Sequence, residues 1–293
     1  MEHLIQILVI GVAVGAVYGV VALGFVIIFK ATGVLNIAQG QLVLAGAYMC
    51  YAFAGQFGMP FWLAAIMTLG VSLLLGLVIE RVFLRPMIGQ PLLAVVMITI
   101  GLAAILDGVV QFIWGAYDHT YPAYLPSEPL MLGTAPVSPD YIWGAVLTLV
   151  LLIAFMLYFR FTKSGLAMRA TAESQQVAKS LGIRVTRVNA TAWAISSLAA
   201  AAGGIILATI ISVNLQLSVS GLKAIPAVIV GGLESLPGAI VGGLIIGLAE
   251  TISGAYLDKY FIGIKEVAPY VVLLIILLVR PYGIFGLKTV ERV

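Results

Sequence analysis

The chain has 293 residues, of which 62% are hydrophobic and 9% charged, against about 25% charged in a soluble globular domain. That balance excludes a soluble enzyme or a nucleic-acid binder and leaves an integral membrane protein, whose formal charge of +3 reflects membrane orientation more than an anionic partner. The single cysteine, Cys50, rules out an internal disulfide and a cysteine metal cluster.

At about 20 apolar residues per crossing, this length allows eight to ten spans and little else. Apolar runs fall at Leu4 to Phe29, Ile37 to Phe57, Phe61 to Phe83, Leu92 to Trp114, Tyr141 to Phe159, Asn189 to Val213, Pro226 to Leu233, Gly238 to Tyr256 and Ala268 to Val279. The expected fold is therefore an all-α, polytopic helical bundle of eight to nine membrane segments, with residues 1–293 forming a single transmembrane domain. The first run is apolar for too long to be a cleaved leader and reads as a membrane helix. Pro226 to Leu233 is too short to cross about 30 Å of hydrocarbon as it stands. It must extend back through Asn214 to Gly221 or be a broken helix sheltered inside the protein. The breaks before the second and seventh runs also allow an inverted repeat.

Charge fixes an expected orientation. With the N-terminus outside, twelve of the fifteen Lys and Arg lie inside: Lys30, Arg81, Arg85, the six between Arg160 and Arg187, Arg280, Lys288 and Arg292. Lys223, Lys259 and Lys265 remain on the other face. The adjacent Glu80 and Arg81 read as interfacial. The interval 115–140, bordered by Trp114 and Trp143, reads as an external loop; Asp118 and His119 within it lack a third ligand and receive no metal or catalytic role.

The interval 160–189 is the one long polar stretch, carrying Arg160, Lys163, Arg169, Lys179, Arg184 and Arg187 against a single acid, Glu173. A short helix is predicted from Ala172 to Leu181, with Glu173 in its first turn, Lys179 in its last and Gly182 as its cap. On it Val177, Ala178 and Leu181 share an apolar face suited to a groove on another protein.

Asp107 and Glu250 are carboxylates inside apolar runs, and such groups face the bundle interior or water. Asn36, Gln39, Gln41 and Asn214 gather at the pattern breaks, where they can either wet a passage or cap broken helices. Gly11, Gly15 and Gly19, then Gly238 with Gly242 and Gly243 with Gly247, are small residues four apart that let helices approach closely. No phosphate-binding loop is present, so the chain is not expected to hydrolyse ATP, and no nucleophile elbow or metal motif is visible.

Three stretches, GVLNIAQGQLVLAGAY (33–48), GLAMRATAESQQVAKSLGIRVTRVN (165–189) and GLKAIPAVIVGGLESLPGAIVGGLIIGLAE (221–250), together with the closing RPYGIFG, resemble the permease subunits of ABC importers for branched-chain amino acids. The resemblance runs along nearly the whole chain. It implies a non-enzymatic subunit in a bacterial inner membrane, N-terminus outside and C-terminus cytoplasmic, that moves leucine, isoleucine or valine. The implied partners are a second related permease, two cytoplasmic ATPase subunits that use ATP and Mg, and a periplasmic binding protein; no cofactor is bound by this chain. On that reading Arg169, Ala172, Glu173, Val177, Ala178, Leu181 and Gly182 belong to the coupling helix. Two other classes remain open at this level. One is an ion-coupled secondary transporter using Asp107 and Glu250; the other is a passive channel for small polar solutes such as urea or amides.

Overall fold

The computed structural model describes residues 2–124, 128–132 and 135–286. Helix α1 (Glu2–Thr32) is followed by a short connection and α2 (Gln39–Tyr51), which continues into a π-helical turn at Ala52–Gln56. Next come α3 (Phe61–Ile79), a second π-helical turn (Glu80–Leu84), α4 (Leu92–Trp114), a hairpin of β1 (Leu130–Leu132) and β2 (Ala135–Val137), and α5 (Pro139–Phe161). Two short helices, α6 (Lys163–Glu173) and α7 (Gln175–Ser180), lead into α8 (Val185–Ile211). The chain closes with α9 (Gln216–Leu222), α10 (Ala224–Gly231), α11 (Leu236–Tyr256) and α12 (Ile264–Val279).

Six helical stretches among the described residues are long and apolar enough to cross a membrane. The other three apolar runs are α2 with its π turn, the α9–α10 pair and the 16-residue α12. The short run thus starts at Gln216, not Pro226, and at 1.5 Å per residue Gln216–Gly231 rises about 24 Å. It is also broken. Lys223 joins the two halves, and Pro226 sits in the first turn of α10, where its missing N–H would otherwise have bonded back into α9.

Helix α1 runs through the middle of the bundle, packed on α11, α8 and α5. Its buried face is small: a Cβ added at Gly15 would lie 2.8 Å from the Cα of Leu244, and one at Gly247 would fall on the backbone of Gly15. Gly243 meets Gly15 and Gly19, while Gly238 and Gly242 lie against the backbone of α10. Low numbers on α1 face high numbers on α11, so the two helices are antiparallel. In contrast, α3, α4 and α5 present Ile66, Leu93, Phe112 and Leu149 outward, as apolar faces suited to lipid or another membrane subunit.

The two ends of the bundle are distinct. At one, Gln6 donates to the Pro136 carbonyl (3.2 Å), His3 packs edge-on to Tyr256, and His119 pairs its backbone with Val213. At the other, Ile27 and Ala31 of α1 pack with Phe159, Met168 and Leu236, next to α6 and α7. The segment RPYGIFG closes there too: Ile284 N–H bonds Val230 O (2.8 Å) and Phe285 N–H bonds Gly231 O (3.1 Å), satisfying carbonyls that the end of α10 leaves free. The N-terminal end of α1 and residue 286 therefore lie at opposite ends of the bundle, as an odd number of crossings requires. Lys288 and Arg292 lie outside the described residues.

Candidate functional site

Asn36 and Gln39 are fully buried where α1, α2 and α8 cross. Asn36 Nδ2 donates to Gln39 Oε1 (3.0 Å), and Ser196 Oγ of α8 reaches both the same Oε1 (3.0 Å) and the Gly24 carbonyl (2.9 Å). Asn36 Oδ1 also accepts from the Ala38 N–H (3.1 Å). The connection between α1 and α2 dips into the protein interior, and its loose amides end on side chains instead of water. Gly24 is required at this crossing, because a Cβ there would overlap Gln39 Nε2 and sit 2.9 Å from Ser196 Oγ. Gln41 is also buried, with its Oε1 unpartnered among the described residues. Asn214, half-buried, accepts from the Gln216 N–H (3.1 Å) and so starts α9.

Glu250 does not stand alone. Lys223 Nζ lies 2.6 Å from its Oε1 and 2.7 Å from Glu266 Oε2, and Tyr18 OH donates to its Oε2 (2.7 Å). The charge count sets Lys223 apart from the twelve basic residues expected inside; in the structure it is only 5% exposed. The break between α9 and α10 turns this lysine inward, into reach of α11 and α12. A buried ammonium is tolerated only with such partners. Asp107 has a different setting: it is half-exposed on α4.

Glu80 was expected at the interface beside Arg81. It is instead 1% exposed and pairs with Arg85 (2.9 Å). The π-helical turn explains both facts, since its wider winding brings residue i over residue i+5. The Arg85 N–H accordingly bonds the Glu80 carbonyl.

In the polar interval the predicted helix is cut in two. Ser174 adopts an extended conformation (φ −160°, ψ 114°) and its side chain accepts from Val177 N–H (3.3 Å), ending α6 and capping α7. Ala172 and Glu173 consequently close α6, and Glu173 does not open a helix. Ala178 is also turned the other way: it is 1% exposed and packs inward, leaving Val177 (58%) and Leu181 (73%) as the exposed apolar pair. Helix α7 then ends as expected at Gly182 (φ +80°), with Gly182 N–H to Lys179 O and Ile183 N–H to Ala178 O (both 3.0 Å). Gln175 ties α7 to the bundle by donating to the Ala31 carbonyl of α1 (3.3 Å). Arg169 is exposed on α6, its guanidinium 3.4 Å from the Arg160 carbonyl. Ser174 was the signal available in the sequence, a capping residue inside the predicted helix.

At the opposite end His119 stacks on Tyr51 with ring centres 4.4 Å apart. Tyr124 stacks on Phe61 and donates to Asp140 (3.1 Å). Burial pushes the Tyr124 phenol up from its ordinary value, which keeps it a neutral donor.

Residues 7–279 match the model of the family described as branched-chain amino acid transport system / permease component. The chain belongs to this permease family. Among its curated relatives, the high-affinity branched-chain amino acid transport system permease protein LivH of Escherichia coli K12 is 30% identical, covering 97% of this chain and 96% of that protein. The corresponding protein BraD of Pseudomonas aeruginosa is also 30% identical, over 99% and 98%. A probable LivH of Methanocaldococcus jannaschii is 29% identical over 90% and 87%. The family assignment makes the chain a transport permease component and agrees with a multi-pass bundle.

Proposed function

We propose that this chain is the membrane-spanning subunit of a binding-protein-dependent ABC importer that carries leucine, isoleucine or valine across a bacterial inner membrane. The relatives are named for branched-chain amino acid transport, which supports the substrate class. The observation that carries the mechanism is the α6–α7 surface. An exposed apolar pair, Val177 and Leu181, projects from a short helix that is capped at both ends and tied by Gln175 to α1. A rigid knob of that kind suits a groove on an ATPase subunit, and the tie to α1 gives the central helix a share in any displacement of α7.

In this reading two cytoplasmic ATPase subunits hydrolyse ATP with Mg, a second related permease completes the membrane part against exposed apolar faces, and a periplasmic binding protein delivers the amino acid. The N-terminus lies outside and residue 286 in the cytoplasm, an orientation favoured by the basic residues on the α6–α7 end. Arg169, Ala172 and Glu173 border the knob, Ala178 anchors it from beneath, and Gly182 ends it.

The test is co-purification. Val177→Glu and Leu181→Glu are expected to lose the ATPase subunits and leucine uptake while the permease still inserts and elutes as a single species. Unchanged ATPase retention and uptake in both variants would refute the assignment.

A further inference from the structure

Helices α3 and α5 each rest on α8 and scarcely touch one another. A Cβ added at Gly76 of α3 would fall 2.5 Å from the Trp193 carbonyl oxygen, and one at Gly144 of α5 would fall 3.0 Å from Ile206. Both flanking helices are thus held close to α8, and a groove stays open between them. Its lobe toward the α6–α7 end has a volume of about 500 Å³, walled by Leu73 and Leu77 of α3, Ala154 and Tyr158 of α5, and Ala194 and Leu198 of α8. A second lobe of about 240 Å³ continues toward the other end past Leu151, which lines both. The larger lobe falls within the ~300–1,000 Å³ of small-molecule sites, but its wall offers little to a polar ligand. Tyr158 and Thr191 bring its only polar side-chain atoms, and the Thr191 hydroxyl is spent on the Arg187 and Val188 carbonyls of its own helix.

The two lobes end in opposite charge. On α8 the stripe Leu198, Ala194 and Thr191 continues one turn further to Arg187, and on α3 the stripe Leu73 and Leu77 continues one turn further to Arg81. The Glu80–Leu84 turn after α3 meets α8, so both arginines reach the same mouth. Both are exposed, and neither pairs with an acid among the described residues. Glu80, the acid beside Arg81, is buried and held by Arg85. The smaller lobe instead ends at Asp140, between Trp62 and Trp143, and has no basic residue in its wall.

We propose that the larger lobe binds one anionic phospholipid from the leaflet on the α6–α7 side, with an acyl chain in the groove and the phosphate on Arg81 and Arg187. Hydrocarbon covers an apolar wall without asking it for hydrogen bonds. The guanidinium forks match phosphate oxygens in pairs, and basic residues between helix ends on the cytoplasmic side are where anionic headgroups collect. Asp140 repels the same headgroup at the other end, so the site selects a leaflet as well as a charge. The bound chain fills the gap between α3 and α5 and braces both against α8, whichever solute the permease carries.

The experiment uses the full-length chain co-expressed with the second permease subunit proposed above. The purified protein is exchanged into nanodiscs of phosphatidylcholine carrying a rising fraction of phosphatidylglycerol or, in a parallel series, of phosphatidylethanolamine. Lipids that remain after the disc is stripped are counted by native mass spectrometry. Retention of one phosphatidylglycerol per chain is expected, with far less phosphatidylethanolamine. Arg81→Gln and Arg187→Gln should each raise the half-saturating fraction about fivefold, the factor one basic residue contributes at an anionic surface. Together they should raise it roughly twenty-five-fold. Arg160→Gln removes an exposed arginine at the same end that lies off these stripes, over the Phe161 ring, and should change nothing. Ala154→Trp fills the groove from an exposed position and should abolish retention while the two permease subunits stay together.

Equal retention of the two lipids would overturn the site. So would an Arg160→Gln effect as large as those of Arg81→Gln and Arg187→Gln, which would mark diffuse surface charge. Undiminished retention in Ala154→Trp would overturn it too, and separation of the subunits in that variant would make the groove a subunit interface instead. If Ala154→Trp fails to fold, the three arginine variants decide, since all three replace exposed side chains.

Discussion

Replacing Lys223 by Met is predicted to destabilise the bundle far more than replacing Glu250 by Gln. Lys223 is 5% exposed and sits between two carboxylates, 2.6 Å from Glu250 and 2.7 Å from Glu266. Without it, Glu250 remains a largely buried anion whose hydrogen-bonded partner is Tyr18 OH. Stranding one member of a buried pair costs about 3–5 kcal/mol. Glu250→Gln behaves differently, because a neutral amide can still accept from Tyr18, and Lys223 keeps Glu266 as its counter-ion. The cost should be nearer that of weakening one charged hydrogen bond, about 1–2 kcal/mol. With a shift of about 2–4 °C per kcal/mol for a chain of 150–250 residues, Lys223→Met should lower the apparent Tm by roughly 6–20 °C and Glu250→Gln by a few degrees. The assay is thermal unfolding of the purified protein in one detergent, followed by fluorescence-detected size exclusion. The double variant Lys223→Met with Glu250→Gln should recover part of the loss, because no uncompensated charge then remains at position 250. Equal losses for the two single variants, or no recovery in the double, would refute the argument that the charge imbalance sets the cost.

The same asymmetry applies to the Glu80 pair. Arg85→Ala leaves a carboxylate at 1% exposure and should cost about 3 kcal/mol or more, whereas Glu80→Gln leaves an arginine that is 42% exposed and can be hydrated; melting temperatures of the two variants check the order. Gly247→Leu should abolish a monodisperse elution peak, since a side chain there meets the backbone of Gly15 and forces α1 from α11. Ser174→Ala removes the hydrogen bond to Val177 N–H, costing about 1 kcal/mol locally, and should raise hydrogen exchange in 175–180 several-fold with no change in Tm.

Much of this protein is legible in one dimension because the bilayer imposes its own lengths. Apolar runs of a given extent, interrupted by basic residues, specify how many segments there are and which ends share a face, and glycines four apart mark where α1 and α11 touch. The boundary between α6 and α7 was also legible at Ser174, but helix-end charges on Glu173 and Lys179 favoured one continuous helix over a capping serine. Other features depend on contacts that no local pattern encodes. In the sequence Lys223 shows only which side of the membrane it belongs to, and the break after α9 is what turns it toward Glu250 and Glu266, residues 27 and 43 positions further along. Asn36 and Gln39 are equally suited to a passage or a cap until Ser196 of α8 arrives to complete their hydrogen bonds. Glu80 pairs with Arg85 only because the helix widens to a π turn. The sequence by itself determined the class, the segments and their relative direction, since these follow from hydrophobic length and charge. Tertiary structure decided which polar groups find partners inside the bundle, as Lys223, Glu80 and Gln39 do, since hydrogen bonding depends on what lies opposite.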